Sequence, residues 1–343
     1  MSRKLLWALA LAGVLVLALP TAAFAQDPTL DDTISSLNTM WVVVAGVLVM
    51  FMQAGFALLE IGFSRMKNAG AGIAKILVNY SIASIAYWAV GFALAFGGAG
   101  AIAGTHGFFL NVSGDPAEAA SQIPLLDVAN ISPAALLFFQ FVFCAVSLAI
   151  IWGTTLERIK FAAYVIYAVS FSALIYPIIS HWIFGGGWLQ ANLGMQDFAG
   201  STVVHLIGAT GAFAALLLLG ARRGKYGSDG KPRAIPGHSM PLVGLGTVIL
   251  FIGWFGFNPG STLGAADVRF AHVAMVTLLS GTAGVLGAFA TTSLLQRTID
   301  IGMVANGMIG GLVAITAPSG YISVWPAPII GFVAGVVLSL IHI

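Results

Sequence analysis

The residue in this sequence best placed to do chemistry is His205, which lies inside an apolar run that begins Asp197-Phe198-Ala199-Gly200-Ser201-Thr202-Val203-Val204-His205. An ionisable side chain in such a run is costly to bury and is functional by default. At helical spacing its neighbours are Ser201, Thr202, Gly208 and Ala209, a narrow, mildly polar face suited to a small solute passing by. The alternative is a histidine hydrogen-bonded between helices for packing. Asp197, just ahead of the run, can accept from the first free amides of a helix; a carboxylate beside a cation entrance is the second reading. Phe143 lies deep in another apolar run, one turn from Phe139 and next to Gln140 and Cys144. Phe257 closes a third, Trp254-Phe255-Gly256-Phe257-Asn258-Pro259-Gly260-Ser261, where Pro259 and Gly260 are expected to stop the helix and leave the Ser261 hydroxyl free. Aromatic faces with one hydroxyl acceptor make a landing place for a small cation.

The elements that must position these residues are long apolar helices. The chain has 343 residues, of which 59% are hydrophobic and 8% charged, against roughly 25% charged in a soluble domain. Uncharged runs of about 20 residues, the length an α-helix needs to cross a bilayer, recur nearly end to end. Nine candidate spans follow, near 40–63, 76–98, 133–155, 160–182, 200–221, 239–258, 269–295, 302–317 and 324–343. The fold class is an all-α polytopic membrane protein. Residues 1–25 combine Arg3 and Lys4, an apolar stretch from Leu5 to Pro20, and Ala23-Phe24-Ala25, the pattern of a cleaved signal peptide, with a short retained first spanning helix as the alternative. Segment 99–132, with Asp115, Glu118 and Asp127, reads as an extracytoplasmic loop.

Basic residues test that topology, because short cytoplasmic loops retain Lys and Arg. With the mature N-terminus outside, the inner loops hold Arg65, Lys67 and Lys75, then Arg158 and Lys160, then Arg222, Arg223, Lys225, Lys231 and Arg233, then Arg297; Arg269 alone falls outside. Glycine numbers 42, and those inside spans are first a helix-packing signal. Trp182 and Trp188 read as an interfacial belt. A net charge of +2 and a single cysteine, Cys144, give no basis for a nucleic-acid partner, a zinc site, a disulfide or another cofactor. No nucleophile, base and oxyanion set can be assembled, so enzyme function has no support.

Gly55-Phe56-Ala57-Leu58-Leu59-Glu60, Lys67-Asn68, Gly185-Gly186-Gly187, Asp197 to His205 and Gly253 to Asn258 together carry a resemblance to the ammonium transporter (Amt/Mep/Rh) family, on its Amt side, over nearly the whole mature chain. The resemblance implies a homotrimer whose protomers each have one pore and eleven helices, arranged as two inverted halves of five and a final helix. An odd first half inverts whatever follows. It further implies that Phe143 and Phe257 form a stacked phenyl gate, that Ser261 is the hydroxyl of an outer recruitment site, that Asp197 is a supporting carboxylate and that His205 is the first pore histidine. Where the family usually has Trp before the triple glycine, this chain has Phe184, a poorer cation–π partner without an N–H; Trp182 is a candidate to compensate.

About nine of the eleven spans are present: Ile343 falls within what matches the ninth helix, and the expectation is a C-terminally truncated frame without the second pore histidine, a role that His342 does not fill. The implied function is ammonium/ammonia transport and nitrogen uptake in a bacterial inner (plasma) membrane. Fully dehydrating an ion costs on the order of 20 kcal/mol by an idealised Born estimate, and cation–π contacts of about 2 kcal/mol each do not offset it, so deprotonation near the gate is expected. The alternative is an ammonium sensor whose signalling domain is missing from the chain; an Rh-like gas channel ranks below it. Residues 222–233 are a candidate contact for a PII-type regulatory protein, with a flexible solvated linker as the plainer reading.

Overall fold

In the computed structural model, which describes residues 28–98 and 100–343, nine helices carry the apolar runs. They are α1 (Leu30–Phe63), α2 (Met66–Phe96), α3 (Pro133–Thr155), α4 (161–184), α5 (Ser201–Leu219), α6 (Met240–Gly260), α7 (Arg269–Gln296), α8 (Ile301–Thr316) and α9 (Ala327–His342). Seven of the runs are long and apolar enough to cross a membrane, the fourth continuing to Leu193 through a short helix, while α8 and α9 are apolar but shorter. Among the described residues no strand forms, and the expected helical bundle is what the chain adopts. The expected signal segment, 1–25, lies outside the described residues.

Borders differ from the expected ones where caps decide them. α1 starts at Leu30 rather than near 40 because Thr29 and Asp32 form a capping box, the Asp32 amide donating to the Thr29 hydroxyl at 3.1 Å and the Thr29 amide to Asp32 Oδ2 at 3.0 Å, which satisfies two otherwise orphaned donors. α2 starts at Met66 rather than 76. Lys75 is therefore a helix residue and not a loop residue: its Nζ lies 4.5 Å above the Trp152 ring and reaches the Ile159 carbonyl at 3.4 Å. Segment 100–132 is not plain loop either, since Pro116–Gln122 and Leu125–Ala129 are helical, the first capped by Asp115.

The basic connections meet at one end of the bundle. Arg65 pairs with Glu157 at 2.7 Å and donates to the Arg223 carbonyl at 3.3 Å, and Arg158 donates to the Gly220 carbonyl at 2.7 Å. The 222–233 segment is not a slack linker: a bridge between Tyr226 and Pro232 and a 3.0 Å bond from the Gly227 amide to the Lys231 carbonyl fold it into a turn.

Lipid gives helices no hydrophobic reason to associate, so close backbone approach supplies the attraction. α1 and α6 show it: a Cβ on Gly246 would stand 2.5 Å from the Leu59 amide nitrogen, and one on Gly256 would stand 2.4 Å from the Ala45 carbonyl. α3 is the central helix, with 78% of its apolar window buried against 33% in α5. Three helices contain a widened π turn, at Tyr87–Gly91 in α2, Phe171–Ile175 in α4 and Ser201–Leu206 in α5. Such turns re-aim side chains and are frequent at functional sites.

Candidate functional site

At the end opposite the basic connections the bundle encloses a cavity of about 330 Å³. Phe184 from the end of α4, Asp197 ahead of α5, Ser261 after α6, and Gln140 with Phe143 from α3 all line it. Residues 114 apart in sequence then meet: Phe143 and Phe257 stack with ring centroids 4.1 Å apart and planes 12° from parallel. Both rings are buried, and at that separation nothing fits between them. Behind the stack lies the His205 ring, 5.5 Å from Phe257 and lying almost parallel to Trp254, 5.2 Å away at 11°. The order from the cavity inward is thus Phe143, Phe257, His205. His205 is buried and its Nε2 has no hydrogen-bond partner. A packing histidine would spend that nitrogen on a neighbouring helix.

Asp197 fixes this geometry. Its Oδ1 accepts from the Gly200 and Ser201 amides at 2.7 and 3.1 Å, and its Oδ2 accepts from Thr202 and Val203 at 2.7 and 3.0 Å. Four donors on one carboxylate gather the start of α5 into the widened turn, which Gly200 enters at φ +115°, a conformation open to glycine. The amides of Val204 and His205 both point to the Gly200 carbonyl, at 2.9 and 3.2 Å. The regular i−4 spacing expected around His205 is consequently replaced: the Ser201 hydroxyl donates to Val313 of α8 and accepts from the Ala317 amide, each at 2.7 Å.

Ser261 departs from expectation. Pro259 does not stop α6, which runs through it to Gly260, and the Ser261 hydroxyl is not free: it donates to the Phe257 carbonyl at 2.8 Å. With its hydrogen committed, the oxygen offers only lone pairs, which suits an N–H donor in the cavity. Phe184 is a half-buried aromatic on the cavity wall. Trp182 is outside the cavity lining; its Nε1 donates to the Ile102 carbonyl at 3.0 Å and its ring lies 5.8 Å from Trp188. Cation–aromatic contact already operates here, since the Arg269 guanidinium sits 4.9 Å over Phe198, a lining residue.

Trp254 belongs to the site although the sequence marks it only as a member of the Gly253–Asn258 motif, three residues before Phe257. Its Nε1 donates to Thr316 at 2.8 Å, which locks the indole flat against His205. Among the described residues no group of His, Cys, Asp and Glu is spaced to hold a metal ion.

The sequence model of the Ammonium Transporter Family matches residues 40–342. An ammonium transporter Amt2 of Archaeoglobus fulgidus is 44% identical over 337 residues, 94% of this chain and 69% of that protein. Ammonium transporter 3 of Dictyostelium discoideum is 36% identical over 309 residues, 88% of this chain and 67% of that one. The chain spans 56% to 69% of the length of the first curated relatives it matches. Among solved structures, a sensor Amt protein superposes with a TM-score of 0.83 at 34% identity, covering 91% of this chain and 76% of that one, and Candida albicans Mep2 with 0.79 at 28%, covering 91% and 68%.

Proposed function

This chain belongs to the ammonium transporter family, and from that premise we propose that it conducts ammonium nitrogen across a membrane by admitting the cation and passing ammonia. The observation that carries the reading is the closed Phe143–Phe257 stack lying between the outer cavity and a buried His205 with a free Nε2. Ammonium in the cavity donates to the Ser261 oxygen and rests against the faces of Phe184 and Phe143; Phe257 presents its carbonyl to Ser261 and closes the gate from below. A cation stripped of water cannot pass two phenyl rings at acceptable cost. The nitrogen therefore gives up a proton at the gate, and ammonia, small and neutral, slips through when the rings part. His205 meets it with the unpartnered nitrogen, held in place by Trp254. Asp197 acts by shaping the turn that carries His205.

The basic end of the bundle is the cytoplasmic one by the distribution of Lys and Arg, which puts the recruiting cavity outside, as uptake through an inner membrane requires. Assembly as a homotrimer and docking of a PII-type regulator on 222–233 belong to the same reading. Replacing His205 with Ala in the reconstituted chain is expected to abolish ammonium-dependent uptake or to change its ratio to charge moved. Unaltered uptake and current in that variant would remove His205 from the mechanism.

A further inference from the structure

At the cytoplasmic end a second cavity, about 590 Å³, has Glu60 of α1, Thr154 of α3, Asn306 of α8 and the cationic residues Arg158 and Arg222 in its wall. Glu60 is only 6% exposed and lies within a helix that spans the bilayer. Its Oε2 has no hydrogen-bond partner. The other oxygen rests on Gly153, where a Cβ would stand 2.5 Å from Oε1, so glycine is what lets the carboxyl sit there. A carboxyl buried among apolar helices is expensive, and one with only the Trp152 indole beside it and no cationic partner is retained for what it does.

The surrounding charged and titratable groups are committed elsewhere. Arg158 donates to the Gly220 and Thr154 carbonyls, and Arg222 leans toward Glu157 at 3.8 Å. Lys75 lies over Trp152, the Tyr164 hydroxyl donates to Asn79, and His342 bonds the Leu338 carbonyl of its own helix. Among the described residues neither ion pair involves Glu60. Its carboxyl can therefore gain and lose a proton without breaking a salt bridge.

We propose that Glu60 is the inner proton-handling residue of the pore, holding the proton released at the outer cavity and returning it to ammonia that reaches the inner one. The inference rests on the conduction reading above. Outside, one N–H bond of ammonium breaks, giving ammonia and a proton. The proton forms an O–H bond on the Glu60 carboxylate. That bond breaks when the ammonia lone pair takes the proton, which makes ammonium and restores the carboxylate. The cycle consumes nothing else and moves one positive charge per nitrogen. Arg158 and Arg222 at the wall repel the ammonium so formed and discourage other cations from entering behind it.

The test uses the chain in proteoliposomes under an inward ammonium gradient, with charge displacement and lumenal pH read in parallel. Glu60→Gln keeps the shape of the side chain and removes the proton acceptor; current is expected to fall at least about ten-fold, and ammonia that still crosses must take its proton from the lumen, so alkalinisation, near zero in the unsubstituted chain, is expected to appear. Glu60→Asp keeps a carboxyl one methylene short, and both its current and its alkalinisation are expected between those of the unsubstituted chain and of Glu60→Gln. Current that survives Glu60→Gln would overturn the assignment, and so would a loss of current with no alkalinisation in its place, which marks a merely structural role. If the unsubstituted chain gives neither current nor alkalinisation, the conduction reading itself fails and this inference with it; alkalinisation without current in that chain overturns this inference alone.

Discussion

Asp197 and Glu60 are buried to the same degree, each 6% exposed, yet Asp197 accepts four backbone hydrogen bonds while Glu60 Oε2 accepts none. The difference separates two uses of a buried carboxylate. The negative charge of Asp197 is answered by amide dipoles at the start of a helix, two on each oxygen. It is a fixed piece of architecture. Glu60 has no salt bridge to give up, only the Trp152 indole beside it, and lies in the wall of a cavity, which leaves it open to exchange. Burial alone would have ranked the two together; the count of partners tells them apart.

The largest effect that could break this comparison is expected from Asp197→Asn. The amide has the same shape, but its NH2 group would face two backbone N–H donors, losing two charge-assisted bonds worth roughly 1.5–3 kcal/mol each. The start of α5 should unwind, and size-exclusion profiles in detergent should show a large loss of monodisperse protein, whereas Glu60→Gln should elute like the unsubstituted chain. An Asp197→Asn protein that is both monodisperse and fully active would mean that the four bonds organise nothing, and the contrast would collapse.

Sequence patterns carried the nine helices well because runs of apolar residues answer to one physical requirement, crossing lipid. They carried the site less evenly. His205 stands out as an ionisable group in an apolar run, but the widened turn that carries it depends on Gly200 and on Asp197 gathering four amides, which no residue spacing encodes. Phe143 taken alone reads as core and Phe257 as part of a cation landing place, and only the family resemblance links two positions so far apart. Ser261 was taken as free because Pro259 was taken as a stop, although proline in the last turn removes one bond and need not end a helix. Glu60 entered as part of a motif and not as chemistry: its lack of a partner is a fact about Gly153, Arg158 and Arg222 in three dimensions. Trp254 was hidden for the opposite reason, since an aromatic in a span is ordinarily packing.

A third carboxylate sharpens the contrast with a smaller, pH-dependent effect. Burial pushes the Glu157 carboxyl up, but hydrogen bonds from the Arg65 side chain and amide and from Asn68, with the Arg65 charge, more than reverse this and bring it from 4.5 down to about 2. A carboxyl depressed in the folded protein stabilises it fully above the unfolded value, and that stabilisation drains away as pH falls through the folded one. The thermal midpoint should therefore hold between pH 7 and 5 and drop progressively between 4.5 and about 2. Glu157→Gln should lower the midpoint at pH 7 and flatten that acid limb. An acid limb unchanged in the variant would show that the Arg65–Glu157 latch between the basic connections does not carry it.

The smallest expected effect tests whether the two ends of the pore divide their labour, affinity outside and charge movement inside. Phe184 occupies the cavity wall where an indole would add both a stronger quadrupole and an N–H donor. The cavity of about 330 Å³ beside it leaves room for the second ring. A gain of about 0.5–1 kcal/mol in cation binding corresponds to a roughly two- to five-fold lower half-saturating ammonium concentration. Phe184→Trp should therefore shift the midpoint of ammonium-evoked current while leaving its maximum and its ratio to ammonia entry in place, the reverse of what Glu60→Gln should do. A change in maximal current without a change in midpoint would mean that the aromatic wall controls passage through the gate, and that recruitment rests on the Ser261 oxygen alone.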